Sequence, residues 1–243
     1  MFTQCPLSLI DVIDAQDYRQ LDFPFLQAAQ ELILQHDVQA IVLPEGRGLG
    51  RFLNLIHYDL DAPVEYVDQA SIFGDQLIHL AAHLKAKPLF AQPTAAAVLA
   101  SECLASCFDL LLLGQFAQKG LEPEFLQHHL ESISYYFDCY ENPKMPYRKW
   151  LAQLLDDPFS CMRSTVLFLF DFCHAVGQAR DQLDRLNRAT QFIGYPLSHH
   201  FNCANWILFA QQLEPGNAGE ARVALESLLQ SEAQLVTWFI QNH

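Results

Sequence analysis

Apolar residues recur at helical spacing through most of the chain after residue 93, and breakers cut that pattern into segments. Pro93-Thr94 opens a long stretch rich in Ala and Leu, both strong helix formers, and Gly120 is placed to stop it. Pro123 suits the first turn of a next helix, running through Tyr140 to the breaker cluster Glu141–Pro146. A short helix is expected over Tyr147–Leu155. Asp157 then reads as an N-cap with Pro158 in the first turn of a very apolar helix to about Val176. In Gln178–Thr190 the pairs Asp181/Arg185 and Asp184/Arg188 stand at i, i+4, which predicts an exposed, charge-paired face. Gly194–Pro196 ends that segment, and Ser198 caps a further helix reaching Leu213. After the turn Glu214–Asn217, Asn217 and Glu220 resemble a capping box for one last helix ending near Ile240.

Before residue 93 the pattern is mixed. Ser8–Ile13, Val38–Leu43 and Pro63–Val67 are short, β-branched and bounded by breakers, as strands are. Helix-like segments lie at Phe25–Gln35 and Arg51–Leu60. Such alternation points to a small α/β unit, although Val38–Leu43 also fits a buried helical turn. The expected fold class is therefore mainly α: a multi-helix bundle with an N-terminal part, residues 1–92, that is α/β or helical. Residues 93–243 form the helical part, and the two together are either separate units or one continuous domain. The boundary falls near Lys85–Pro93.

Composition narrows the function classes. Of 243 residues, 51% are apolar and 17% charged, so the chain buries much of itself. The formal net charge of −14 leaves no basic footprint for nucleic acid, and an anionic membrane would repel the chain. Thr165–Val176 reads as the longest near-apolar stretch, and it is interrupted by Asp171 and well short of the roughly 18 residues a membrane span needs. The first residues show no secretory signal pattern. Seven cysteines, an odd number without a CxxC pair, read as reduced thiols and give the expectation of a cytoplasmic protein.

Four sets of residues carry candidate chemistry. In Pro44–Arg51, Gly46, Gly48 and Gly50 would let backbone N–H groups approach an anion, with Arg47 and Arg51 as forked donors. A tight turn with solvated arginines accounts for the same residues. The run Ile41–Gly48 resembles the strand-and-turn of adenine-type phosphoribosyltransferases, and Pro44–Gly50 is similar to a loop in GTP cyclohydrolase II. The first resemblance implies a later paired-Asp, Thr-Gly-Thr loop, which this sequence lacks. The second implies a zinc-binding cysteine cluster upstream, where only Cys5 stands.

Asp75, His79 and His83 stand at i, i+4, i+8, along one helical face. Two histidines and a carboxylate can hold a divalent metal. A solvated face is the plainer account. Asp171 and His174, inside an apolar helix, are candidates for buried polar groups in need of partners. The adjacent pairs His128-His129 and His199-His200 point in different directions and cannot chelate as units. The aromatic residues, among them Phe168, Phe172, Trp206 and Trp238, suit a core, an apolar-ligand cavity or interface anchors.

Neither a Gly-x-Ser-x-Gly elbow nor a His-Glu-x-x-His motif is present. Three function classes follow. The first is an acidic helical module that binds a basic partner protein as adaptor or inhibitor. The second is an enzyme acting on a phosphorylated small molecule through the Pro44–Arg51 loop. The third is a helical protein holding an apolar ligand or a metal.

Overall fold

The computed structural model describes residues 7–8, 25–36, 39–43, 64–68, 74–90, 94–121, 130, 134, 147–191 and 213–241. Eight helices of these residues make the protein mainly α. They are α1 (Phe25–Gln35), α2 (Gly74–Ala86), α3 (Ala95–Gln118), α4 (Tyr147–Asp156), α5 (Pro158–Gly177), α6 (Gln182–Thr190), α7 (Ala218–Leu228) and α8 (Glu232–Ile240). Three short strands, β1 (Leu7–Ser8), β2 (Gln39–Leu43) and β3 (Val64–Asp68), form a small sheet in that order. Strand β1 runs antiparallel to β2, and β2 runs parallel to β3, with Ile41 opposite Tyr66. The Ala40–Leu43 segment is thus extended rather than a helical turn.

Helix α3 organises the molecule. Its sequence is apolar on all sides, and a helix of that kind has to be surrounded. Leu104, Leu111, Leu112, Leu113 and Phe108 are each fully buried, although they point in different directions around the axis. Helix α2 packs along one side of α3 and α5 along another, while α4 and α7 make smaller contacts. One core extends from Phe25 to Phe239 and includes residues on both sides of position 92. Phe25, Phe108 and Phe239 form an aromatic triad joining α1, α3 and α8, with ring centroids 4.6–5.3 Å apart. Edge-to-face contacts of this kind add about 0.5–1.5 kcal/mol each beyond the area they bury.

Helices α3 and α5 are both long and apolar enough to cross a membrane, so Thr165–Val176 is not the longest such stretch. In α3, 94% of the relevant window is buried inside the fold, as in the core helix of a globular protein.

The caps follow local chemistry. Thr94 Oγ1 accepts from Ala97 N, and the next amides of α3 donate to the carbonyls of Glu214 and Pro215. Gly216, at φ +69°, lies against Thr94 and lets that turn close over the helix start. Gly120, at φ +63°, follows the end of α3. Asp157 caps α5 through Ser160 N, with Pro158 in the first turn. Asn217 caps α7 through Glu220 N.

Three expectations need correction. The last helix is two helices: Leu229–Gln230 interrupt it, and Ser231 starts α8 by accepting from Gln234 N. In α6, only Asp184 and Arg188 form the expected i, i+4 pair, at 3.1 Å. Asp181 is instead the N-cap, and Arg185 is buried. Asp171 and His174 are exposed, because the buried stripe of α5 runs through Phe170, Phe172 and Cys173. Asp171 pairs across the surface with Arg222, 2.9 Å from its Nε.

Candidate metal centre

Glu102 and Asp109 are the only charged residues in α3, and their i, i+7 spacing puts them on one stripe of the helix. That stripe meets His79 and His83, one turn apart on α2. His79 meets Asp109 and His83 meets Ser101, so the two helices run antiparallel. A short connection through residues 87–94 allows that arrangement.

The two imidazoles are held alike. His79 Nδ1 lies 2.8 Å from Asp109 Oδ2, and His83 Nδ1 lies 2.8 Å from Ser101 Oγ. Each ring therefore has its outer nitrogen engaged and its Nε2 turned inward. The two Nε2 atoms are 3.3 Å apart. Glu102 closes the triangle, with Oε1 3.6 Å from His79 Nε2 and Oε2 3.1 Å from His83 Nε2. Glu102 is fully buried, and neither of its oxygens has an aligned hydrogen-bond donor among the described residues. Asp109 Oδ1 is likewise buried without one.

An ionised carboxylate taken out of water needs a compensating charge. Burial pushes the Glu102 pKa up, but His79 and His83 outweigh it and bring the value down to about 2. Burial also works against a charged His79, yet Asp109 and then Glu102 hold its pKa well above the ordinary value. The cluster therefore attracts positive charge to the space between the inward nitrogens and the Glu102 oxygens. A proton on His79 Nε2 supplies it in one state, and a divalent cation can supply it in another.

His79, His83 and Glu102 each place one donor atom within 4.8 Å of the others, a set able to hold a metal ion. Asp109 and Ser101 supply the outer contacts that fix a metal-binding imidazole's tautomer and orientation. Of the residues singled out in the sequence, His79 and His83 are thus brought together. Asp75 lies on α2, with its side chain outside the described residues. Glu102, from the neighbouring helix, takes the carboxylate position. In the sequence it is hidden within an Ala- and Leu-rich run. Its signal was there: two acids in an otherwise uncharged helix, seven residues apart. Gly46, Arg47, Gly48, Gly50 and Arg51 lie outside the described residues, as do His128, His129, His199 and His200.

No known family model matches the chain, and no curated protein or solved structure is significantly similar to it.

Proposed function

We propose that this protein binds a divalent transition-metal ion between α2 and α3, through His79 Nε2, His83 Nε2 and Glu102. The carrying observation is the convergence of those three groups in the interior, with both outer imidazole nitrogens already engaged. Two imidazoles and one carboxylate suit Zn²⁺, Co²⁺ or Fe²⁺ better than Ca²⁺ or Mg²⁺, which prefer all-oxygen shells. Buried reduced thiols at Cys103, Cys107, Cys161 and Cys173 support placing the protein in a reducing compartment such as the cytoplasm.

Calorimetric titration of the metal-free protein with Zn²⁺ tests the proposal. One ion per chain is expected, with binding lost in His79→Ala and His83→Ala variants whose circular dichroism is unchanged. At a free metal concentration about 100 times Kd, binding adds about 2.7 kcal/mol and raises Tm by about 5–10 °C. Absence of stoichiometric uptake at any pH between 6 and 9 overturns it.

A second reading keeps the protein as a binding module for a basic partner. The net charge of −14 and the exposed Leu183, Leu186 and Val223 support it. Capture of a partner at low salt and its release at high salt is the expected result. The alternative of an enzyme working through Pro44–Arg51 rests on the sequence alone.

A further inference from the structure

We infer that the metal centre is four-coordinate, with three protein ligands and a fourth corner that takes an exchangeable oxygen donor: water, or the oxygen of a small carboxylate or carbonyl substrate. The inference rests on the metal-binding reading and goes past it, from whether an ion is bound to what the ion can do.

Donor spacing carries the first step. Bonds of about 2.0–2.1 Å place two ligands of a tetrahedral ion about 3.3 Å apart, against about 2.9 Å for adjacent ligands of an octahedral one. The Nε2 atoms of His79 and His83 are 3.3 Å apart, and Glu102 offers Oε1 to the first at 3.6 Å and Oε2 to the second at 3.1 Å. The imidazole pair therefore has the spacing of two ligands of a tetrahedral ion rather than of two neighbours on an octahedral one.

The number of donors carries the second step. Among the described residues, the group able to hold an ion contains His79, His83 and Glu102 and no fourth member. Asp109 is spent on the outer nitrogen of His79, and Ser101 on that of His83. Sites with three protein ligands and one exchangeable position are the catalytic kind, whereas structural sites are closed by four.

Charge carries the third step. A dication with the single carboxylate of Glu102 retains one positive charge, and Asp109 balances it through His79. The fourth ligand therefore has no need to be an anion, and a neutral oxygen donor completes the centre. Solvent reaches the His79 side of the cluster: the side chains of His79 and Asp109 are 13% and 17% exposed, against 0% for Glu102. An ion there polarises the bound oxygen and makes a bound water more acidic.

Cobalt(II) reports coordination through its visible absorption. The metal-free full chain is loaded with one equivalent of Co²⁺ and titrated with acetohydroxamate, an oxygen donor. The expected spectrum has visible bands roughly ten-fold or more stronger than those of aqueous Co²⁺, as four-coordination gives. Acetohydroxamate should shift and weaken them reversibly as coordination rises to five. Bands that acetohydroxamate leaves unchanged would mean a centre closed by protein, and weak six-coordinate bands a different geometry; either overturns this inference while metal binding stands. A chain that takes up no cobalt, like one that takes up no zinc, overturns the metal-binding reading itself.

Discussion

Glu102 Oε2 and His83 Nε2 approach to 3.1 Å from two different helices, in an interior where the carboxylate has no aligned hydrogen-bond donor among the described residues. A contact of that kind holds two groups ready for something between them. Glu102→Gln keeps the shape and removes the charge. Zn²⁺ affinity should fall by more than about 100-fold, since a ligand is lost rather than an outer contact. The metal-free variant should keep its fold, because an amide costs less to bury than a carboxylate. Competition against a chromophoric chelator measures the affinity, and an unchanged value removes Glu102 from the ligand set.

In the proposed centre Asp109 acts through His79 and is not a ligand. Asp109→Asn should therefore lower metal affinity by about 10–100-fold while leaving the stoichiometry at one. In the Co²⁺ form the bands should shift only slightly, in contrast to Glu102→Gln. Loss of stoichiometric binding would make Asp109 a ligand.

The acidity of the cluster gives a pH signature. In the metal-free protein the His79 pKa is raised: burial opposes this, and Asp109 and Glu102 outweigh it. A raised histidine contributes stability that is fully present below its unfolded pKa of about 6.5 and is lost as pH rises through the folded value. Glu102, brought down to about 2, contributes stability above its unfolded pKa that is lost only as pH falls toward that value. Tm measured in chelator should therefore decline on the alkaline side of neutrality. Zn²⁺ should restore it there and have little effect near pH 5, where protons compete for the imidazoles. A Zn²⁺ effect that grows as pH falls would contradict the ligand assignment.

Much of the helical frame was legible in the sequence because punctuation is local. Thr94, Asp157 and Asn217 cap the helices their positions announced, and Gly120 adopts the positive φ that ends α3. Phe25–Gln35 needed only its own apolar spacing. At the break Leu229–Gln230 neither residue is a breaker, but Ser231 with Gln234 three residues on has capping-box spacing, a signal that a continuous apolar pattern to Ile240 hides. Two of the three candidate ligands were readable, since His79 and His83 share a helix. Glu102 was not, because pairing a carboxylate with a partner helix requires knowing which faces meet. For Asp171 and His174, apolar neighbours suggested burial, but only the phase of the helix against its partners decides exposure.

Helices α3 and α5 meet closely at Gly114. A Cβ there would come within 2.6 and 2.9 Å of the Pro158 ring and 3.3 Å of the Leu154 carbonyl oxygen. Alanine in a helix gains about 1 kcal/mol of propensity over glycine, but overpacking against a rigid ring costs about 1–3 kcal/mol. Gly114→Ala should therefore destabilise by up to about 2 kcal/mol, with Tm falling by a few degrees. Metal affinity should be unaffected, which makes the variant a control for the ligand substitutions. A rise in Tm would mean that the helices can move apart without loss.

Buried thiols should be silent. Burial pushes Cys161 up to about 11, and Cys103 and Cys107 well above the ordinary thiol range. Few thiolates then exist at pH 8, and access is closed as well. Brief alkylation of the native protein followed by peptide mapping should leave these three unmodified, and unfolding in guanidinium should expose all of them. Rapid native labelling of Cys103 would show that the contact between α3 and α5 opens easily.

The aromatic triad has a consequence for how the chain is made. Phe25 packs on Phe239, about 200 residues further along the sequence, whereas α2 and α3 are neighbours in the order of synthesis. The histidine–carboxylate cluster can therefore assemble on a ribosome-bound chain as soon as α3 has emerged. Phe25 can meet Phe108 once α3 is made, and only its contact with Phe239 has to wait for α8. At about 5–20 residues per second, that leaves Phe25 without the third ring of the triad for about 10–40 seconds. Chaperone dependence during synthesis should accordingly centre on the edge of α1 and α3 that α8 completes.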